Sequence, residues 1–156
     1  MSTPPVHEHL APLAFLLGTW RGGGRGDYPT IEGFQYTEEI TFGHVGKPFL
    51  TYLQKTWNTD GDPLHTEFGY VRPAGEGGIE LVLAQPTGVT ETHSGVLMGR
   101  HIELATVAVG LTPTAKEVTS VRRVLDVDGE VLRYRLDMAA VGREEQFHLE
   151  AELHKQ

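Results

Sequence analysis

With 156 residues, 39% of them hydrophobic and 22% charged, and a formal net charge of -8, the chain reads as a single soluble globular domain over residues 1–156. Its 13 basic residues are scattered among 21 acidic ones, which excludes the concentrated positive surface that nucleic-acid partners need. The absence of cysteine excludes disulfides, thiolate metal sites, iron–sulfur clusters, thiol nucleophiles and thioether-linked cofactors, leaving metal chemistry to His, Asp, Glu, Tyr or Met. No apolar run is long enough for a membrane-spanning helix, and MSTPPVHEHL lacks the basic start and apolar stretch of a signal peptide, so the cytoplasm is the default compartment.

In chain order, EHLAPLAFLL (8–17) spaces Leu10, Leu13, Leu16 and Leu17 as a helix does and closes on Gly18, predicting one or two helical turns. Thr19–Arg25 reads as a first strand. The pattern then turns to period two, with Phe34, Tyr36, Ile40 and Phe42 on one face and Gln35, Thr37, Glu39 and Thr41 on the other. The same strand reading recurs in Phe49–Trp57, Leu64–Arg72, Ile79–Ala84, Val89–Leu97, Arg100–Val109, Lys116–Asp126, Val131–Ala140 and Gln146–His154. Between them lie the turn sequences NTDGDP, RPAGEGG, QPTG, VGLTPT and DVDGE.

About ten short strands joined by tight turns, with no intervening helix, predict an all-β antiparallel meander. Twist and the penalty on exposed edges curl such a meander into an up-and-down β-barrel. At that strand number the barrel is wide enough to enclose a ligand cavity. A two-sheet sandwich without a cavity is the alternative.

Within LGTWRGGGRGDYPT (17–30), alternation puts Gly18, Trp20, Gly22 and Gly24 on one face, three of its four positions bare. Either the strand bends sharply there, or something approaches the backbone closely with Trp20 packed across the barrel's end. A phosphate loop is excluded, since no Lys-Ser or Lys-Thr follows.

Among eight histidines, His7 and His9 lie near a terminus, His44 sits in a turn, His101 opens a strand, and His93 shares an outward-looking face with Glu91. His65 opens a strand whose opposite face carries Leu64, Phe68 and Tyr70. No HExxH or other close zinc spacing occurs. His148 and His154 share a strand face with Gln146, Glu150 and Glu152, and periodicity leaves open both which of them is a ligand and whether that face points inward. Position favours His148, because six more residues of strand follow it in QFHLEAELH, whereas His154 ends it.

Taken together, these residues resemble the nitrobindin family of haem-binding β-barrels, related in form to the fatty-acid-binding proteins. The resemblance rests on GTWRGGG (18–24), YPTI (28–31), HVGKPFLTY (44–52), LHTEFGY (64–70), ELVLAQPTG (80–88), TAKEVT (114–119), LRYRLDMAAVG (132–142) and FHLEAELH (147–154). It implies a ten-stranded barrel holding one non-covalent haem b at its mouth, with His148 as the axial iron ligand and a local bulge turning it inward. Further cofactor contacts are implied at Gly18, Trp20, Gly22, Gly24 and Thr30, with Lys116 beside the propionates. Leu64, His65 and Gln85 would form the distal pocket, His65 staying off the iron. The implied activity is isomerisation of peroxynitrite to nitrate at ferric haem, with reversible nitric oxide binding to the ferrous form. A haem, nitric oxide or apolar-ligand carrier without turnover is the alternative, and a homodimer is left open.

Overall fold

The period-two segments become ten strands in the computed structural model, which describes residues 1–156. They are β1 (Gly18–Tyr28), β2 (Ile31–His44), β3 (Leu50–Trp57), β4 (Pro63–Pro73), β5 (Gly78–Ala84), β6 (Val89–Met98), β7 (His101–Leu111), β8 (Val118–Asp128), β9 (Val131–Ala140) and β10 (Gln146–Lys155). Each pairs antiparallel with its sequence neighbours, and β1 closes the ring on β10, from Trp20 opposite Lys155 to Gly26 opposite Leu149. The result is the up-and-down barrel; closure satisfies the edges that a sandwich would leave bare. No helix is long and apolar enough to cross a membrane.

One end of the barrel is filled. The N-terminal 3₁₀ helix, Glu8–Leu16, pushes Leu10, Leu13 and Leu16 into the end where β1 begins, and all three are buried. Burial of each such side chain stabilises the fold by about 1.5–3 kcal/mol. Trp20, also fully buried, donates its indole N–H to the Leu16 carbonyl at 2.8 Å, so helix and barrel are joined by a satisfied polar contact inside the apolar plug.

The bare face of β1 points inward, and the strand across the seam fills its space. A β-carbon on Gly22 would overlap the Glu152 carbonyl oxygen and sit 2.8 Å from Leu153 Cα; one on Gly24 would stand 2.5 Å from Tyr36 Cζ. These glycines let β10 and the Tyr36 ring close on β1.

Gly22→Val is therefore expected to destabilise the barrel by about 2–3 kcal/mol or more through backbone overlap. Urea unfolding measures this, and an unchanged midpoint would show that β1 and β10 have slack between them.

Candidate functional site at the open end of the barrel

At the opposite end the strands enclose a cavity of about 310 Å³. Phe34, Val118, Val121, Leu136, Met138 and Leu149 supply apolar walls, while Leu64, His65, Gln85 and His148 line the cavity with them. Beneath lies a polar floor that includes Tyr36, Gln54, Thr56, Glu67, Glu91 and Arg123.

His148 enters this cavity by a break in strand alternation. Across the β9–β10 ladder Phe147 pairs with Asp137 and Leu149 with Leu136, leaving His148 as the extra residue of a bulge. Without the bulge it would point outward with Glu150 and Glu152; with it, His148 and Leu149 both line the cavity. The β1–β2 ladder shifts register at the same level, between Gly26 and Tyr28. There the Asp27 carbonyl accepts a hydrogen bond from His148 Nδ1 at 3.2 Å. A carbonyl only accepts, so Nδ1 carries the proton and the Nε2 lone pair is left free. Burial pushes the His148 pKa below its ordinary value, against the opposing pull of the Asp27 carbonyl, and so favours the neutral ring. Tyr28 packs edge-on to the imidazole, ring centres 5.4 Å apart, and its hydroxyl takes the Ala140 N–H at 2.9 Å.

The turn leading into β10 is also pinned. Val141 holds a positive φ of 47°, a costly conformation for a β-branched residue, while its N–H donates to the Glu117 carbonyl at 3.0 Å.

Leu64, His65, Gln85 and His148 thus meet in one cavity, with Leu64 half exposed at the rim. Thr30 lies in the β1–β2 turn and Lys116 in the β7–β8 connection, both at the open end and exposed, outside the cavity lining. Gly18, Trp20, Gly22 and Gly24 lie outside the lining of this cavity. Trp20 belongs to the plug at the other end, and the space beside Gly22 and Gly24 is taken by β10 and Tyr36. His154 is exposed and pairs with Glu152 at 3.1 Å.

The polar floor was illegible as such in the sequence. Arg123, on β8, bridges Glu67 of β4 and Glu91 of β6 at 3.1 Å each. His93 is 2% exposed, not solvated as its alternation with Glu91 suggested, and its Nε2 lies 2.8 Å from Glu91 Oε1. Burial works against ionisation of Glu91, but Arg123 and His93 outweigh it and hold the carboxyl at about 2. Gln85 donates its side-chain N–H to Glu91, and His65 Nε2 stands 3.6 Å from Glu67 Oε1, so both cavity-wall residues are tethered to this floor. On its other side Glu38 accepts from Gln54 Nε2 at 2.8 Å and from the Tyr134 hydroxyl at 2.8 Å. Its carboxyl is pushed up to about 7, burial outweighing those two hydrogen bonds.

Residues 9–155 match the family described as the THAP4-like, heme-binding beta-barrel domain. Peroxynitrite isomerase 2 of Mycobacterium avium (strain 104) is 54% identical over 156 residues, covering 97% of each chain. Peroxynitrite isomerase 1 of Mycobacterium tuberculosis (strain ATCC 25618 / H37Rv) is 52% identical over 160 residues, covering 97% of this chain and 96% of its own. The crystal structure of Rv2717c from M. tuberculosis superposes with a TM-score of 0.94 at 49% identity, covering 97% of this chain and 99% of that one.

The Glu38 carboxyl also sets a pH dependence of folding. Its pKa rises from 4.5 to about 7 on folding, so the folded chain holds the proton more tightly; that stabilisation is complete below 4.5 and lost as pH rises through 7. Stability of the wild type relative to Glu38→Gln is expected to fall by about 3 kcal/mol between about pH 4.5 and about pH 8. Urea unfolding of the two proteins in parallel reads it, and a difference that stays flat or grows with pH would contradict the buried placement of this carboxyl.

Proposed function

The chain belongs to the THAP4-like, heme-binding β-barrel family, as its sequence motifs implied, and on that premise we propose that it holds one non-covalent haem b at the open end with His148 as axial ligand and converts peroxynitrite to nitrate. The observation that carries this reading is the bulged His148, whose Nδ1 proton is committed to the Asp27 carbonyl while Nε2 remains available on a ring that lines the cavity. Metal-bound histidines owe their orientation to this kind of second hydrogen bond. The donor set fits haem in two further respects: burial favours the neutral imidazole that iron requires, and the surrounding walls are mostly apolar. Lys116 at the rim is the cation for the propionates, with Thr30 on the β1–β2 turn as a further rim contact.

When bound, ferric haem supplies a Lewis-acid iron with one coordination position open to a peroxo anion. The chain does the rest. His148 would hold the iron, while Asp27 and Tyr28 fix the plane of its imidazole. Phe34, Val118, Val121, Leu136 and Met138 exclude water and keep small fragments together until they recombine. Leu64, His65 and Gln85 form the distal wall, where His65 and Gln85 present polar groups to the bound oxygens. The contact of His65 with Glu67 favours its staying off the iron. The relatives named peroxynitrite isomerase support this substrate and reaction. In the ferrous form the same site would bind nitric oxide reversibly.

Titration of the apoprotein with hemin is expected to give a saturable Soret shift in the wild type and in His154→Ala, and a weakened and altered one in His148→Ala. A His148→Ala spectrum indistinguishable from wild type would remove the axial assignment. Stopped-flow decay of peroxynitrite should then accelerate with substoichiometric ferric protein and give mainly nitrate; no acceleration would leave a haem carrier.

A further inference from the structure

The haem reading leaves unexplained two tyrosines at and beneath the cavity floor, Tyr36 buried and Tyr134 half-buried behind it. Tyr36, on β2, lines the cavity and is 4% exposed. Its hydroxyl lies 2.7 Å from that of Tyr134 on β9, and Tyr134 donates to the Glu38 carboxylate at 2.8 Å. With the Tyr134 proton on the Glu38 carboxylate, the short contact between the phenols has Tyr36 as donor, at 2.7 Å against the 3.3 Å at which the same hydroxyl reaches the Glu150 carbonyl. The order from cavity to interior is therefore Tyr36, Tyr134, Glu38.

We propose that Tyr36, Tyr134 and Glu38 form a proton-coupled electron relay that discharges an oxidising equivalent left on the cavity's haem. The proposal rests on the haem reading above and goes beyond it. A peroxide-type substrate that loses one fragment from the cavity leaves its haem oxidised above the ferric state, and a cavity with apolar walls offers few other electron donors. One electron would leave Tyr134 by way of Tyr36 and lower the haem by one oxidising equivalent, a solvent proton entering through the cavity mouth to balance the charge there. The Tyr134 O–H bond breaks, and its proton crosses the existing hydrogen bond to the Glu38 carboxylate, which becomes the carboxylic acid. What remains is a neutral phenoxyl radical. A diffusible one-electron donor of the ascorbate or thiol class returns the electron, and Glu38 returns the proton.

Three features favour this chemistry. Oxidised phenols are strong acids, so a phenol whose proton already points at a carboxylate is the easier one to oxidise. Burial, with Glu38 adding to it, raises the Tyr36 and Tyr134 pKa values, so both phenols are protonated and lose a proton only with the electron. Both tyrosines also border a groove on the outer surface beside Gly23 and Gly24, where the glycine-rich strand thins the wall and an external donor comes within reach. Gly24 is what admits the Tyr36 ring against that wall.

The groups that face Glu38 set its readiness as proton acceptor: Gln54 from β3, Tyr134 from β9, Glu67 from β4 and Arg123 from β8. Burial and the Glu67 charge raise its carboxyl to about 7, while Gln54, Tyr134 and Arg123 pull the other way. The relay therefore gains its acceptor as pH rises through that value.

The test uses hemin-reconstituted protein, loading verified by the Soret band, mixed with hydrogen peroxide, freeze-quenched and read by electron paramagnetic resonance. Wild type is expected to show a tyrosyl signal whose hyperfine pattern narrows when the protein is grown on ring-deuterated tyrosine. Its yield should rise through about pH 7. Tyr134→Phe and Tyr36→Phe should lose the signal, Glu38→Gln should flatten its pH profile, and Tyr52→Phe and Tyr70→Phe should retain it. A haem-loaded wild type with no tyrosyl signal overturns the relay alone, as does a signal that survives in Tyr36→Phe/Tyr134→Phe or disappears in Tyr52→Phe or Tyr70→Phe. A barrel that takes up no hemin overturns the function proposed above and the relay with it. Because deuteration changes no side chain, its result stands even where a variant folds poorly.

Discussion

The seam between β1 and β10 is the constraint on which the rest of the barrel depends. A ten-stranded meander closes only if its first and last strands meet in register, and here they meet over backbone that side chains would hold apart. The same approach does two further things. It lays the Tyr36 ring against Gly24, and it brings the Asp27 carbonyl to His148 where the regular ladder ends. Closure of the fold and orientation of the imidazole are thus two consequences of one bare strand.

The floor of the cavity is held by a different balance. Four ionisable groups, Glu67, Glu91, His93 and Arg123, are buried together, which is costly unless each is paired. Arg123 meets that requirement for two carboxylates and His93 adds a second partner to Glu91, while Glu38 is left to hydrogen bonds alone. The unequal treatment separates the carboxyls: Glu91 stays ionised well into acid, and Glu38 changes charge near neutrality. An excess proton in this floor therefore has one preferred address, on the side of the two tyrosines.

How much of this was legible follows from what period two reports. Alternation and turn residues locate all ten strands to within a few residues, because a half-buried strand must alternate, and the glycine face of β1 points inward as its spacing says. Alternation fails wherever the inward residues are polar. Glu38 falls in step with Phe34, Tyr36, Ile40 and Phe42, and His93 in step with Glu91, yet their chemistry reads as surface. In β4 the pattern is inverted: Phe68 and Tyr70 face outward and pack edge to face, while Glu67 faces in. Arg123, placed across the barrel from both glutamates, is what makes the inversion tolerable, and no local spacing reveals a partner fifty-six residues away. His148 is harder still, since parity leaves the direction of its face undecided; the bulge is what brings it into the cavity, and its position in the strand and the motif resemblance, not periodicity, single it out.

The two ends of the barrel also bear on what it can hold. A long apolar chain lying down the axis, as a lipid carrier would need, must pass the Glu67–Arg123–Glu91 cluster, breaking pairs whose loss leaves uncompensated buried charge at about 3–5 kcal/mol each. Beyond that cluster it would find only about 40 Å³ of space among leucines and isoleucines, closed below by Leu16 of the N-terminal helix. A broad, flat ligand seated at the mouth disturbs neither. It keeps its apolar body against Leu136, Met138 and Val121, meets one imidazole, and leaves the charged floor intact beneath it. The charges that look misplaced in the barrel's interior thus limit how far a ligand could sink through the cavity that His148 lines.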